Sequence, residues 1–154
     1  MNLPIKVFEI KGFGQERIKP EISEVFGFPD ETSFRGGYDI RCNLEINAGI
    51  YTCRTEQYFS TTSAIYNFYV ALQNCYDKLN GKAIYSVYCP ENDLIFEAAF
   101  KQGQVKIEGT YRHDPSVKDV LTFEFNSDQS YFKEVLSDLK KVYLTFGGNK
   151  GVNK

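Results

Sequence analysis

The side chains that could perform catalysis are few in this sequence, and the first is its single histidine. His113 lies in the polar run Tyr111-Arg112-His113-Asp114-Pro115. A Ser–His or Cys–His pair for nucleophilic catalysis would have to use this imidazole, and an aspartate next to it in sequence does not orient it as a catalytic triad does. We therefore interpret His113 as a solvated loop residue and predict a protein without catalytic residues.

Four cysteines could in principle bind a metal ion or form disulfides: Cys42, Cys53, Cys75 and Cys89. They are separated by 11, 22 and 14 residues with no C-x-x-C pair, and one histidine does not complete a typical zinc site. Each cysteine lies within an apolar pattern. We predict reduced, buried thiols and no metal site, with Cys89 as the most accessible of the four because it ends a strand pattern.

Acidic residues occur on the polar side of several predicted strands: Asp39, Glu45, Glu56, Glu97, Glu108 and Glu124. Glycoside hydrolysis would require two carboxyl groups about 5–10 Å apart across one cleft, one of them desolvated enough to keep its proton. Basic or polar neighbours flank each of these residues at strand spacing. The pattern is typical of a solvated sheet face.

Cofactor-binding motifs are incomplete. Gly12-Phe13-Gly14 matches only the start of the dinucleotide motif G-x-G-x-x-G, and Gly147-Gly148 follows a helix pattern instead of preceding one. We interpret both as turns and predict no cofactor. The 13 phenylalanines and 11 tyrosines leave open a small-ligand pocket within a curled sheet, although most of them fall on predicted core faces.

The charge balance argues against direct nucleic-acid binding. The chain of 154 residues has 18 basic and 20 acidic residues, a net charge of -2, whereas non-specific nucleic-acid binders carry a basic surplus. All charges from residue 140 onward are lysines, so residues 1–139 contain 14 basic and 20 acidic groups. An acidic body of this kind can steer a basic partner.

Hydrophobic runs are far shorter than the roughly 18 residues that span a bilayer, which predicts no membrane association. The first residues have no basic segment followed by an apolar one, so we expect a cytoplasmic location. We favour a monomer.

Apolar periodicity indicates strands and two helices. Residues 38–46 and 51–59 alternate and should form an antiparallel hairpin in which Ile46 faces Tyr51. Residues 61–79 have the spacing of a helix, followed by four short strands over 83–125 and a second helix after Ser127-Asp128. A further strand is predicted near residues 6–11.

This order predicts one α+β domain over residues 1–146: a twisted antiparallel sheet of six or seven strands with two helices packed on one face. Residues 12–37, which contain two prolines and several glycines, are interpreted as a long irregular segment. Residues 147–154 are interpreted as a flexible C-terminal tail.

Two runs carry a family resemblance: FPDETSFRGGYDI at residues 28–40 and LTFEFNSDQSY at residues 121–131. With the hairpin and helix between them, they resemble the WapI-type immunity proteins of bacterial polymorphic toxin systems over roughly residues 28–143. The resemblance implies a small, non-catalytic cytoplasmic protein that binds and neutralises the C-terminal domain of a cognate toxin, a nuclease. It implies no set of toxin-contacting residues.

Strand parity suggests where such a partner would bind. If both helices cover one face of the sheet, the opposite face presents Asp39, Arg41, Glu45, Arg54, Glu56 and Tyr58. The rival location is the irregular segment, at Asp30 and Glu31, because loops often carry recognition. Two other function classes stay open: an adaptor domain that binds another protein, and a small-ligand-binding domain.

Overall fold

A computed structural model describes residues 2–152 of the chain, apart from the side chain of Tyr88. Its elements in chain order are β1 (Ile5–Lys6), β2 (Ile10–Lys11), β3 (Arg17–Val25), β4 (Asp39–Ala48), β5 (Tyr51–Thr61), α1 (Thr62–Lys78), β6 (Asn80–Cys89), β7 (Asn92–Lys101), β8 (Gln104–Arg112), β9 (Leu121–Asp128) and α2 (Phe132–Phe146). A single 3-10 turn leads into α2. Helices beside antiparallel strands confirm the α+β class.

The strands form two antiparallel sheets, so the prediction of a single sheet of six or seven strands is wrong. The first sheet has the order β1-β3-β4-β5, with β2 also paired to β3, and the second is the meander β6-β7-β8-β9. Apolar alternation tells which face of a strand is buried but not which strands are neighbours. Helix α1 separates β5 from β6 in the chain, and β6 begins the second sheet.

One hydrophobic core joins both sheets and both helices. The centre of this core is Phe68 of α1, whose ring centroid lies 5.7 Å from that of Phe8, beside β1, and 5.3 Å from that of Phe96 in β7. Helix α2 packs on the second sheet through Phe132, 5.2 Å from Phe100. The helices therefore pack against two sheets, and their predicted position on one face of one sheet is corrected.

Helix α1 begins where the sequence predicts. The hydroxyl of Thr61 accepts a hydrogen bond from the Ala64 backbone N–H at 3.0 Å, which satisfies one of the donors left open in the first turn. The helix ends at Lys78, and Leu79 adopts the left-handed conformation that closes it. Neither helix in residues 2–152 has the length and apolar character needed to cross a bilayer.

Strand β3 lies within the predicted irregular segment over residues 12–37, and that part of the prediction is wrong. Ile18 and Ile22 are buried while Lys19 and Glu21 are half-exposed, which is the alternation of a strand. Pro20 hides this pattern because proline is rare in paired strands. It is tolerated because it lies opposite the interruption between β1 and β2, where the ladder of that edge is already broken.

The C-terminal residues pack against the rest of the chain as far as Val152. The Gly37 backbone N–H donates to the carbonyl of Asn149 at 2.7 Å, and the Val152 N–H donates to the hydroxyl of Tyr38 at 3.0 Å. The Asn149 side chain also accepts a hydrogen bond from the Ser63 hydroxyl. The predicted flexible tail is therefore wrong for residues 147–152, and Asn153 and Lys154 lie outside the described residues.

Candidate functional site

The outer face of the first sheet holds most of the predicted partner-binding residues. Along β4, Ile40, Cys42, Leu44 and Ile46 are buried, and the residues between them are half-exposed. Asp39, Arg41 and Glu45 therefore share the outer face, as the alternation predicts. The neighbouring strand β5 adds Arg54 and Glu56, both exposed.

Tyr58 does not belong to this face. Leu44 pairs with Thr55 and Cys42 pairs with Tyr58, so Asn43 alone opposes two residues of β5. This bulge reverses the parity of the following residues and turns Tyr58 inward, where it is 1% exposed. Its prediction as a surface contact is wrong, because simple alternation does not reveal an extra residue in one strand.

The buried Tyr58 hydroxyl lies 2.7 Å from the hydroxyl of Tyr85 in β6, which lies 2.6 Å from that of Ser60. Burial raises the pKa of Tyr58 well above its usual value, so the phenol is neutral and satisfied by hydrogen bonds. This small cluster links the first sheet to the second.

The turn before β5 also differs from the predicted one. Ala48 pairs with Tyr51 around Gly49 and Ile50, and Ile46 pairs with Cys53. Ile46 does not face Tyr51. Positive φ at Gly49 allows a two-residue turn, which shortens the loop relative to the predicted register.

Most charged residues on the outer face form ion pairs with one another. Nη1 of Arg17 donates to Glu9 at 3.0 Å, and its Nη2 donates to both carboxylate oxygens of Glu45 at 3.1 Å. Nη2 of Arg54 reaches the same carboxylate at 3.2 Å. These four residues form a continuous chain of alternating charge from Glu9, between β1 and β2, across β3 and β4 to β5.

Two further arginines complete the pairing on this side of the protein. Nε of Arg41 donates to Glu24 at 3.2 Å, and its Nη1 donates to the backbone carbonyl of Glu56 at 3.0 Å. Nη2 of Arg35 donates to Asp39 at 2.8 Å. A shallow depression of about 450 Å³ lies among the polar side chains of β3, β4 and β5. The face is therefore of mixed charge, and ion pairs and hydrogen bonds connect its arginines to neighbouring residues.

The sequence interpretation missed the β3 side chains of this face: Arg17, Lys19, Glu21 and Glu24. Arg17, Lys19 and Glu21 follow from the alternation around Ile18 and Ile22 once Pro20 is allowed in the strand, whereas Glu24 faces outward because the register shifts between Ile22 and Glu24. Their ion pairs with β4 join residues far apart in the chain, and local periodicity contains no signal for such contacts.

Asp30 and Glu31 lie elsewhere. Their loop is anchored by Phe28, whose ring centroid is 5.2 Å from those of both Tyr38 and Phe146. Both acidic residues are exposed, at the side of the molecule where α2 ends. Asp30 and Glu31 therefore belong to a loop beside the end of α2, and Arg35, farther along the same segment, links it to Asp39 at the start of β4.

The groups considered for catalysis are dispersed. His113 is exposed in the loop between β8 and β9. All four cysteines are free thiols; Cys89 is buried and Cys53 is half-buried, so the predicted accessibility of Cys89 is wrong. Within residues 2–152, no three His, Cys, Asp or Glu side chains are grouped to hold a metal ion.

The ion pairs of Glu45 give a testable dependence of stability on pH. Burial alone would raise the pKa of Glu45, but hydrogen bonds and attraction from Arg17 and Arg54 outweigh it and leave the pKa below the usual 4.5. A carboxyl group with a lowered pKa stabilises the fold above its unfolded-state pKa and loses that effect as the pH falls through the folded-state value.

Glu45→Gln is therefore expected to lower the free energy of unfolding by about 1 kcal/mol at pH 7. The difference from the wild type should shrink below pH 4.5 and vanish in stronger acid, as measured by urea unfolding at several pH values. Glu56→Gln is the matched control, because the Glu56 carboxylate makes no ion pair within residues 2–152. A loss that persists unchanged in acid would contradict the assignment to these ion pairs.

Comparison with known proteins adds the identity of the family. No curated protein and no solved structure matches the chain. The sequence does match the Immunity protein WapI-like family over residues 9–147, which include both sheets from β2 onward and both helices. The match extends well beyond the two runs that carry the resemblance, and it covers the whole outer face of β3, β4 and β5. The chain therefore belongs to the Immunity protein WapI-like family.

Proposed function

We propose that this protein is a non-catalytic immunity protein that binds the C-terminal domain of a cognate toxin, a nuclease, and neutralises it in the cytoplasm. The observation that carries the proposal is the family match over residues 9–147. The side chains considered for catalysis are dispersed, which agrees with inhibition by binding. The partner is a protein, and the immunity protein acts as a monomer without a cofactor.

The binding surface we propose is the outer face of the first sheet, with Asp39, Arg41, Glu45, Arg54 and Glu56 as contacts. Arginines are favourable anchors at interfaces, and exposed carboxylates steer a basic partner. A specific complex needs about 800 Å² from each partner, which one side of a five-stranded sheet can provide. The rival surface is the loop with Asp30 and Glu31.

The experiment that tests the function is co-expression with the C-terminal domain of the toxin encoded beside this gene. Growth should be restored by this protein and not by an unrelated immunity protein. Absence of rescue, together with absence of a complex between the purified proteins, would overturn the proposal and favour an adaptor or small-ligand-binding role.

Variants of the surface should keep the ion pairs of Glu45 intact, because reversal of that charge would place a cation between two arginines. Glu56→Lys changes an exposed carboxylate outside the network and is expected to slow association with the toxin domain by roughly threefold to tenfold at low salt. The measurement is the association rate at two ionic strengths.

A matched control lies on the second sheet. Glu97, Glu108 and Glu124 face one another directly across β7, β8 and β9. Glu108→Lys reverses one exposed charge there and should leave association with the toxin nearly unchanged. If Glu108→Lys slows binding and Glu56→Lys does not, the interface lies on the second sheet.

A further inference from the structure

Strand β5 forms an edge of the first sheet, and part of that edge is open. Within residues 2–152 its only strand partner is β4. Tyr51, Cys53 and Thr55 pair with β4 around a two-residue turn. In an antiparallel ladder of this register, alternate residues point their backbone groups to the partner, so Thr52 and Arg54 point theirs away from β4. Their N–H and C=O groups line the open edge.

Farther along β5, the same edge is closed by a side chain. The Phe59 N–H donates to Oδ1 of Asn92 at 2.7 Å, and Nδ2 of Asn92 donates to the Phe59 carbonyl at 3.0 Å. Asn92 is fully buried and takes the place that a neighbouring strand would occupy. The fold thus protects one half of the edge and leaves the half at Thr52 and Arg54 available for pairing.

A cleft of about 670 Å³ runs beside the open half. It is lined by Tyr51, Cys53 and Thr55 on one side and by Tyr111, His113 and Leu121 on the other. Tyr111 is only 3% exposed, and within the described residues its hydroxyl has no hydrogen-bond partner. A buried hydroxyl is normally satisfied, so an occupant that reaches this group would make a hydrogen bond that the free protein lacks.

Part of the cleft lining is exposed and apolar. Tyr51 and Val120 line the cleft and are exposed, and Ile50, which precedes Tyr51 at the tip of the β4–β5 turn, is 91% exposed. The ionisable side chains in the lining, Arg54, His113 and Asp119, are of mixed sign. An occupant without net charge fits such a lining better than a strongly cationic or anionic one.

We propose that an extended, uncharged segment of the toxin binds in this cleft and adds to the first sheet as a further strand. Its backbone pairs with Thr52 and Arg54, a side chain with a hydrogen-bonding group faces Tyr111, and apolar side chains cover Ile50 and Tyr51. This inference rests on the proposed function. It also extends the proposed surface, because Arg54 belongs both to the outer face and to the edge.

Thr52→Pro tests the backbone pairing. Proline removes an N–H that points away from β4 and leaves the β4–β5 ladder bonds in place, and its ring blocks an incoming strand. Thr52→Ala keeps the N–H and is the matched control. We expect Thr52→Pro to raise the Kd for the toxin domain about 50-fold and Thr52→Ala to change it less than about threefold. Circular dichroism and the urea midpoint establish that both variants are folded.

Tyr111→Phe tests the unpartnered hydroxyl. Because the hydroxyl makes no bond in the free protein, its removal should leave the stability of the free protein unchanged or slightly raised. The Kd for the toxin domain should rise about fivefold to tenfold. Equal Kd values for wild type and Tyr111→Phe would show that the occupant makes no bond to this group.

Hydrogen exchange of the wild-type protein tests the backbone pairing without a substitution that could itself disturb the fold. The amides of Thr52 and Arg54 should exchange more slowly in the complex than in the free protein. If the wild type binds the toxin but these amides and the Kd of Thr52→Pro are unchanged, the edge proposal is overturned while the proposed function stands. If the wild type binds no toxin domain, the proposed function itself fails. A self-associated dimer that Thr52→Pro abolishes would make a second copy the occupant and would also overturn the proposal.

Discussion

Replacing Phe68 by alanine is expected to lower the free energy of unfolding by about 3–5 kcal/mol. The ring is fully buried and contacts Phe8 beside β1, Tyr85 in β6 and Phe96 in β7. A cavity at this position would remove contacts to both sheets at once, and the rigid strands around it cannot collapse to fill the space. Urea unfolding followed by circular dichroism measures the loss.

Val70 provides the control on the same helix. It is 49% exposed, and Val70→Ala should change the unfolding free energy by no more than about 0.5 kcal/mol. If Phe68→Ala is too unstable to study, Phe68→Leu keeps most of the volume and should cost about 1.5 kcal/mol or less. A cost below about 1 kcal/mol for Phe68→Ala would contradict the central position of this ring in the core.

Phe68 also shows how much of the fold can be predicted from the sequence. The spacing of Ile65, Phe68 and Leu72 predicts both the helix and its buried face, and the structure confirms both. It does not predict that the face meets two sheets. An apolar stripe on a helix indicates only that other apolar residues cover it. Which strands cover it depends on contacts between distant parts of the chain.

Strand β4 and strand β5 illustrate the same limit within the candidate surface. Strict alternation places Asp39, Arg41 and Glu45 correctly, because β4 has no extra residue within it. In β5 the bulge moves Tyr58 into the core, and alternation alone places it wrongly. The ion pairs of Arg17 with Glu9 and Glu45 could not be predicted for a further reason. Pro20 favoured the interpretation of residues 12–37 as irregular, so the strand that contains Arg17 was not predicted.

The resemblance through residues 28–40 has a structural basis at Gly36 and Gly37. Gly37 has φ of 61°, and its neighbour Tyr38 donates a backbone hydrogen bond to the hydroxyl of Thr62 at 2.8 Å. The Gly37 N–H binds the carbonyl of Asn149. This short stretch therefore holds together the start of β4, the first turn of α1 and the C-terminal turn, which makes it a sensitive point of the fold.

Gly37→Ala is consequently expected to destabilise the protein by about 3 kcal/mol, of which the left-handed backbone conformation accounts for about 1–2 and crowding for the rest. A Cβ atom at Gly37 would overlap Oγ1 of Thr62 and lie 2.8 Å from the Ser63 backbone nitrogen. Neither neighbour can retreat easily, because Thr62 and Ser63 are buried in the first turn of α1.

Gly49 provides a control that separates the cost of the backbone conformation from the cost of crowding. Its φ of 63° matches that of Gly37, but a Cβ atom there would meet nothing within 4 Å. Gly49→Ala should therefore show the backbone cost alone, about 1–2 kcal/mol. Urea unfolding of both variants gives the difference, and hydrogen exchange at Gly37 and Val152 should rise only in Gly37→Ala, because only that substitution disturbs the C-terminal turn. Equal losses of unfolding free energy in the two variants would contradict this explanation, because crowding of residue 37 against α1 would then contribute nothing.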